Sequence, residues 1–325
     1  GGREADRIYS GEEWIEFGVE DFEATVKKAE RGEALWWDLG MPEFSEDVAL
    51  EPPKYLLLAA QTGVGKSTIA LHWAVKLAVL GDTPVLYLNT EMTVRDIVRR
   101  AMAILSGVPL SDLQKGRAAD RRDQFMGAAD RYRKNLLSLS DAMPGLNLTK
   151  IEALIVRYQA ERGIKAVVVD YIQNLLEAQS RPGMPAWEAL ADVSRQLKIL
   201  AKRYNIAVIA TAQLNKAGDL QGAKAMADDV DAFYSLWSVG SDEHIERIPQ
   251  EWRRYAVDCA KAGASHVLLP SKNRHAPHRV FGVDLPLSSL AREVLVIDPS
   301  RRSVGAGAED EMISIDEALA RIPPF

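Results

Sequence analysis

The feature that most constrains this chain is the stretch from Ala59 to Thr68, which reads Ala-Ala-Gln-Thr-Gly-Val-Gly-Lys-Ser-Thr. The apolar run Tyr55–Leu58 before it predicts a buried strand, and Ile69–Leu80 after it carries apolar residues at helical spacing. The glycines therefore fall at a strand-to-helix turn. Backbone N–H groups and a helix N-terminus converge at such a turn and bind phosphate.

Each residue type in this turn has an expected role. Gly63 and Gly65 let successive N–H groups point at an anion, and Lys66 reaches the terminal phosphates. Ala60 stands where the P-loop pattern has its first glycine. A glycine-rich turn with a solvated lysine is the alternative, but the flanking strand and helix favour nucleotide binding. The predicted nucleotide contacts are Gln61, Thr62, Gly63, Val64, Gly65, Lys66, Ser67 and Thr68.

Length and composition are those of an ordinary globular protein. The 325 residues, 47% of them hydrophobic, can form one large domain or two ordinary ones. No apolar run approaches the roughly 18 to 20 residues of a membrane span, and no signal peptide is recognised, so we expect no membrane partner. One cysteine, Cys259, excludes an internal disulfide and predicts a reducing compartment. The net charge of −6 opposes a wholly basic surface but permits a local basic channel.

Three further apolar runs predict strands, and a polar side chain stands at the end of each. These are Glu91 after Pro84–Asn89, Asp170 at the end of Ile164–Asp170, and Gln213 after Ala207–Ala212. Because the carboxyl ends of parallel strands meet at one edge of a sheet, we expect all three beside the P-loop. The predicted fold is an α/β structure with a mostly parallel twisted sheet flanked by helices.

Each of these three side chains has a functional interpretation and an alternative. Asp170 and Ser67 would hold the Mg²⁺ shell, and Glu91 would polarise the water that attacks the γ-phosphate. The alternatives are a core strand with its turn, and a glutamate in a first helical turn. The upstream P-loop favours the functional interpretation of both carboxylates. Gln213 would sense the γ-phosphate, although taken alone it reads as a turn amide.

The remaining segments are assigned more coarsely. Residues 1–33 predict an amphipathic linker helix, which packs either on its own domain or on a neighbouring subunit. Leu35–Pro53 is predicted to be a loop, and Ile172–Leu176 to continue the preceding strand with Gln173 exposed. Residues 300–325 predict a tail with a short helix, which either docks elsewhere or packs on the core.

Together these motifs resemble the RecA-like motor domain of DnaB-family replicative helicases. The resemblance covers about residues 32–298 and assigns residues 34–299 to a RecA-like ATPase/helicase domain. It implies that Glu91 is the catalytic base, that Gln213 is the phosphate sensor, and that Lys66 binds the phosphates. The stretches that carry it are Thr62–Ser67, Asn89–Met92, Val169–Gln173, Gln213–Lys216 and Lys272-Asn273-Arg274.

The resemblance also implies a site shared between subunits. Lys272 and Arg274 would reach the nucleotide of a neighbouring subunit, where an arginine finger accelerates hydrolysis by roughly 10³ to 10⁵. A basic turn between two strands is the alternative for this pair. The implied cofactors are ATP and Mg²⁺. The implied partners are single-stranded DNA, further copies in a hexamer, and a primase or helicase loader, in the cytoplasm of a bacterial cell or a phage-infected host.

The DNA-contacting loops of the family fall at Glu177–Pro185 and Ala217–Met226. Where the family usually has a basic residue after Asp-Leu, this chain has Gln221, which favours contacts through the backbone. The 325 residues do not include the N-terminal scaffold domain of the family, so we expect either a shorter phage- or plasmid-type helicase or a trimmed chain. The candidate DNA contacts are Lys216, Gln221, Gly222, Lys224 and Arg181.

The resemblance therefore implies an ATP-dependent replicative helicase that translocates on single-stranded DNA. Two other functions stay open. A RecA- or RadA-like recombination or repair ATPase is one, since RadA-type proteins also carry a Lys-Asn-Arg motif beside a P-loop. The other is a nucleotide-switched scaffold or loader with little turnover.

Overall fold

The computed structural model describes residues 10–175, 185–214 and 223–300. The strands are β1 Tyr55–Ala60, β2 Val85–Asn89, β3 Leu137–Leu139, β4 Ala166–Asp170, β5 Ala207–Gln213, β6 Ala232–Ser238, β7 His266–Asn273, β8 Val280–Asp284 and β9 Arg292–Ile297. They form one sheet in the order β3-β2-β4-β5-β1-β6-β7-β8-β9. Neighbours are parallel from β3 to β6 and antiparallel from β6 to β9.

The helices are α1 Gly11–Glu30, α2 Pro42–Val48, α3 Lys66–Val75, α4 Val94–Ser106, α5 Leu110–Lys115, α6 Arg122–Arg131, α7 Leu148–Arg162, α8 Ala186–Tyr204, α9 Ala223–Asp229, α10 Asp242–Glu246 and α11 Arg253–Lys261. A π-helical turn, Lys76–Leu80, continues α3. Among the helices of the described ranges, none combines the length and the apolar character needed to cross a membrane.

Helices cover both faces of the sheet, which explains the continuous apolar runs of its central strands. Every residue of β1, β2 and β4 is buried. Alternate residues of β1 face opposite cores, with Leu57 on the side of α7, α8 and α11 and Leu56 on the side of α2, α3 and α4. The six parallel strands share one carboxyl edge and one amino edge, and these two edges serve below to locate the described candidate residues.

The predicted loop from Leu35 to Pro53 is wrong in part, because Pro42–Val48 form helix α2. Pro42 stands in the first turn of this helix, where proline is favoured. Phe44 anchors α2 in the core, with its ring centroid 5.4 Å from that of Trp73 and 5.0 Å from that of Tyr234. Buried aromatic packing thus forms a helix in a segment whose prolines suggested a loop.

The strand predicted to continue from Ile172 is also wrong. Ile172–Asn174 form a 3₁₀ turn, and Gln173 is half-buried rather than exposed. The Nε2 atom of Gln173 donates to the carbonyl of Gln213 at 3.0 Å, and the side chain of Asn174 bonds Thr90. These bonds turn the chain away from the sheet and tie the ends of β2, β4 and β5 together.

Candidate nucleotide-binding site

The turn between β1 and α3 has the backbone conformation that phosphate binding needs. Gly63 and Gly65 have φ angles of +83° and +112°, a region that L side chains rarely adopt. A Cβ atom at Gly65 would also lie 3.1 Å from Cδ2 of Leu285. Within the described part of the chain, no side chain caps the N-terminus of α3, so its first N–H groups are left for an anion.

Lys66 begins α3 and lies inside the site rather than in solvent. The residue is only 7% exposed, and its Nζ atom lies 4.6 Å from the ring centroid of Tyr171. A buried ammonium group is costly unless a partner compensates its charge. The aromatic face of Tyr171 supplies part of that compensation, and a bound phosphate would supply much more.

The carboxylate of Asp170 lies at the end of β4, where Ser67 and two further hydroxyl groups donate to it. Oδ1 accepts from Oγ of Ser67 at 3.1 Å and from Oγ1 of Thr211 at 2.5 Å. Oδ2 accepts from the hydroxyl of Tyr87 at 2.8 Å. Burial, together with the charge of Asp170, raises the pKa of Tyr87 well above its usual value. A carboxylate and a hydroxyl are the hard oxygen ligands that Mg²⁺ prefers, so the donor set fits this cation.

Glu91 lies in the turn between β2 and α4, at the same carboxyl edge. Oδ1 of Asn89 accepts the N–H groups of Glu91 and Met92 at 3.1 and 2.9 Å, which fixes the turn. The side chain of Glu91 is exposed. Burial raises the pKa of Tyr171, and the negative charge of Glu91 adds to this effect. Tyr171 thus contacts the ammonium group of Lys66 and feels the charge of Glu91.

Gln213 is the last residue of β5, and the sheet register pairs it with Ala60, the last residue of β1. The residue is half-buried, and its carbonyl accepts the bond from Gln173. The structure thus brings the P-loop, Asp170, Glu91 and Gln213 to one edge of the sheet. This arrangement requires only that the four strands run parallel.

Lys272 and Arg274 lie elsewhere, at the amino edge. Because β7 runs antiparallel to β6, Asn273 is level with Ala232, which is level with Leu56 at the start of β1. Leu56 is about 13 Å along the strand from the residue that precedes the P-loop. These two cations therefore lie at the opposite edge of the sheet from the P-loop.

Both cations bind the carboxyl end of α9. Nζ of Lys272 donates to the carbonyls of Ala227 and Asp228, and Nη2 of Arg274 donates to the carbonyl of Asp228 at 2.7 Å. Nη1 of Arg274 lies 3.6 Å from Oδ1 of Asp231. Burial lowers the pKa of Lys272, and the charge of Arg274 adds to this effect. Cations are favoured at a helix C-terminus, which explains the position of both side chains.

The candidate DNA contacts are not placed by the structure. Arg181, Lys216, Gln221 and Gly222 lie outside the described residues. Lys224 lies within α9, but its side chain is likewise outside the description. Their predicted role stays a prediction.

A cavity of about 250 Å³ lies beside the P-loop and was not predicted. One wall is formed by residues 61–64, and the opposite wall by Trp237, Ser238, His244, Arg247 and His266. Burial lowers the pKa of His266, which favours its neutral imidazole. These side chains come from β6, β7 and α10 and the turn after it, so only the pairing of β6 with β1 could have indicated them.

A profile of the family described as "DnaB-like helicase C terminal domain" matches residues 47–228, more than half of the chain. The chain belongs to this DnaB-like helicase family. The match begins before the P-loop and extends through β5 to α9. It therefore includes the P-loop, Glu91, Asp170 and Gln213, and the predicted resemblance to the DnaB family is confirmed.

Relatives in sequence carry the same family name. The chain is 29% identical over 276 residues to "Replicative DNA helicase DnaB" of Leifsonia xyli subsp. xyli, which covers 83% of this chain and 58% of that protein. It is 33% identical over 172 residues to the protein of the same description from Pasteurella multocida, which covers 51% of this chain and 36% of that protein. The chain thus matches less than two thirds of the length of these relatives.

Solved structures share the fold at low sequence identity. The ATPase domain of a protein called G40P is 17% identical, with a TM-score of 0.66 over 82% of this chain and 94% of that one. A DnaB-like replicative helicase described together with its interactions with primase is also 17% identical, with a TM-score of 0.68 over 89% of this chain and 67% of that one. The predicted RecA-like α/β fold is therefore confirmed.

Proposed function

We propose that this protein is an ATP-dependent replicative DNA helicase that hydrolyses ATP at the subunit interfaces of a hexameric ring. One observation carries the proposal. The P-loop, Asp170, Glu91 and Gln213 lie at the carboxyl edge of the sheet, whereas Lys272 and Arg274 lie at the amino edge. One subunit therefore holds both halves of the site but cannot join them, so a second copy is required.

At the carboxyl edge, each side chain has a proposed role that follows from its chemistry. Lys66 and the P-loop N–H groups would bind the β- and γ-phosphates, and Ser67 and Asp170 would hold Mg²⁺, which neutralises phosphate charge when bound. Glu91, exposed beside Tyr171, would accept the proton of the attacking water. Gln213, level with the end of β1, would contact the γ-phosphate.

Head-to-tail contact would complete the site. A heterologous interface repeated around a ring sets the amino edge of one subunit against the carboxyl edge of the next. Lys272 and Arg274 would then exchange the carbonyls of α9 for the phosphates of the neighbour's ATP. Only in that position can their charge stabilise the transition state.

The exposed apolar face of helix α1 supports assembly with another copy of the chain. None of its residues is buried, and Ile15, Val19 and Phe22 are each more than half exposed on one helical face. Exposed apolar stripes of this kind mark interaction sites. The helix is also acidic, with seven carboxylates against two lysines. Of the two predicted packing partners, its own domain or a neighbouring subunit, this exposure favours the neighbour.

The surface formed by α5 and α6 offers a complementary groove. Leu113, Ala118, Ala119, Phe125 and Met126 line a volume of about 390 Å³ together with Arg122. Residues 110–134 carry seven basic side chains against four acidic ones, the opposite balance to α1. We infer that α1 of one subunit lies in the α5–α6 groove of the next.

Removal of the α1 stripe should prevent assembly. The triple variant Ile15→Ala, Val19→Ala, Phe22→Ala keeps good helix formers but deletes apolar area, each large side chain contributing about 1.5–3 kcal/mol when buried. With Mg²⁺ and ATP present, mass photometry should show wild-type rings and mostly monomeric variant. A matched control deletes three exposed apolar side chains elsewhere, Val156, Ile199 and Leu287, and should assemble normally. A ring of unchanged stability in the α1 variant would contradict this interface.

The cavity beside residues 61–64 is where we place the nucleoside end of ATP. Arg247→Ala should weaken ATP binding roughly 10- to 100-fold, because a hydrogen bond to a charged group contributes about 1.5–3 kcal/mol. In a competition assay against a fluorescent nucleotide, the affinity of Arg247→Ala for inorganic tripolyphosphate should be the same as that of the wild type. Arg254→Ala, which removes an arginine that stacks on Tyr255 in α11, is the control. Equal loss of affinity for ATP and tripolyphosphate would exclude the cavity as the nucleoside site.

The proposed activity is tested by unwinding. Purified protein should show ATP hydrolysis stimulated by single-stranded DNA, and should separate a forked duplex in one direction. Strand exchange without directional unwinding would favour a RecA- or RadA-like ATPase, and nucleotide binding with negligible turnover in the assembled state would favour a scaffold or loader. Since the solved DnaB-like helicase is described with primase, we infer a primase or a helicase loader as a partner and the bacterial or phage-infected cytoplasm as the location.

A further inference from the structure

The buried carboxylate of Asp170 is held from both neighbouring strands. β4 lies between β2 and β5 in the sheet. The pairing of Val169 with Ala210 continues to place Thr211 opposite Asp170, and Asn89 pairs with Asp170 on the other side. Tyr87, two residues before Asn89, faces the same side of the sheet and reaches the carboxylate diagonally. Side chains from two strands therefore converge on one side chain of the third.

The hydroxyl groups divide the two oxygens of Asp170 between them. Thr211 and Ser67 share Oδ1, while Tyr87 occupies Oδ2. Rotation of the carboxylate would break the bonds of both Tyr87 and Thr211 at once. Because Asp170 is only 2% exposed, bulk solvent does not readily replace a lost bond, so these donors hold the orientation of its carboxylate.

Tyr87 and Thr211 differ from Ser67 because, of the three, only Ser67 can also ligate a cation. Ser67 lies in the first turn of α3 and can offer a lone pair to a cation while it donates its proton to Asp170. Tyr87 is fully buried within β2, and Thr211 is fully buried within β5. Their hydroxyl groups contact the carboxylate, and they act on a cation only through it.

We propose that Tyr87 and Thr211 are positioning residues that hold Asp170 in the orientation that binds Mg²⁺. The proposal rests on the proposed function, in which Asp170 and Ser67 hold that cation. Partners that orient a metal-binding carboxylate change metal affinity about 10- to 100-fold when they are removed. The sequence gives no sign of this role for Tyr87, because a tyrosine in an apolar strand reads as core.

The test measures Mg²⁺ affinity through nucleotide binding, without turnover. Binding of a fluorescent ADP analogue to the full chain is followed while Mg²⁺ is titrated, and again in EDTA. In Tyr87→Phe, the Mg²⁺ concentration at half-saturation should rise at least about tenfold, with affinity in EDTA unchanged. Tyr55→Phe is the matched control, since Tyr55 is equally buried and its hydroxyl bonds Ser194 far from the site.

A second pair of variants separates positioning from packing. Thr211→Val removes the hydroxyl but keeps the shape, and should weaken Mg²⁺ binding about tenfold, whereas Thr211→Ser restores the donor and should bind nearly as wild type. If Tyr87→Phe does not fold, Thr211→Val and Thr211→Ser test the proposal by themselves. Folded Tyr87→Phe or Thr211→Val with wild-type Mg²⁺ affinity would overturn the proposal, as would equal weakening with and without Mg²⁺. Failure of wild-type protein to bind nucleotide would instead overturn the proposed function.

Discussion

Lys66→Ala should lower kcat/KM for ATP hydrolysis by roughly 10²–10³ and abolish unwinding, because it removes a preorganised charge from the developing phosphate anion. The reason lies in the position of this lysine. Its ammonium group is held inside the site, over the ring of Tyr171 and at the first turn of α3. A mobile lysine on the surface would not hold its charge in a fixed position beside the phosphates. The rate is measured in the steady state with saturating single-stranded DNA.

Lys76→Ala is the matched control for this variant. Lys76 lies in the π-helical continuation of α3, and its Nζ pairs with Asp38 at 2.8 Å on the surface. Lys76→Ala removes one positive charge from the same helical segment, as Lys66→Ala does. It should leave the hydrolysis rate within about twofold of the wild type, since partly exposed ion pairs contribute little. Unwinding at the wild-type rate by folded Lys66→Ala would contradict the assignment of the P-loop.

Arg274→Ala should lower hydrolysis by about 10³ or more while leaving ATP affinity nearly unchanged, because a finger stabilises charge that develops in the transition state. Loss of stability should be small, since the guanidinium is nearly half exposed where it meets the carbonyl of Asp228 and the carboxylate of Asp231. Steady-state rates and the binding of a non-hydrolysable analogue are measured side by side.

Arg292→Ala serves as the control for this prediction. Arg292 pairs with Asp284 on the surface between β8 and β9, and we assign it no role in the site. Its removal should leave both rate and affinity unchanged. If Arg274→Ala lowered affinity as much as rate, its charge would act in binding, and the proposed finger would be wrong.

The carboxyl edge could be predicted because its strands are buried on both faces. Apolar runs such as that of β4 are visible in sequence, and a polar residue such as Asp170 at the end of a run falls at the edge by connectivity alone. Order in the chain was enough to bring Lys66, Glu91 and Gln213 together, since parallel strands repeat the same direction.

The rest could not be read from sequence for identifiable physical reasons. The edge occupied by Arg274 depends on β7 running antiparallel, which a residue pattern does not reveal. The contact between Tyr87 and Asp170 depends on strand order and register. Helix α2 was hidden by the prolines of the surrounding segment, although packing of Phe44 forms it, and the cavity of His244 and Arg247 is assembled from separate elements.

A site completed by a neighbour is tested most directly by mixing two inactive variants. Lys66→Ala subunits keep Arg274, and Arg274→Ala subunits keep Lys66, so each variant alone contains only defective interfaces. In rings assembled from equal amounts, about a quarter of the heterologous interfaces should join an intact P-loop to an intact finger. We predict that DNA-stimulated hydrolysis by the mixture recovers to about a quarter of the wild-type rate. A mixture no more active than its two components would contradict the account.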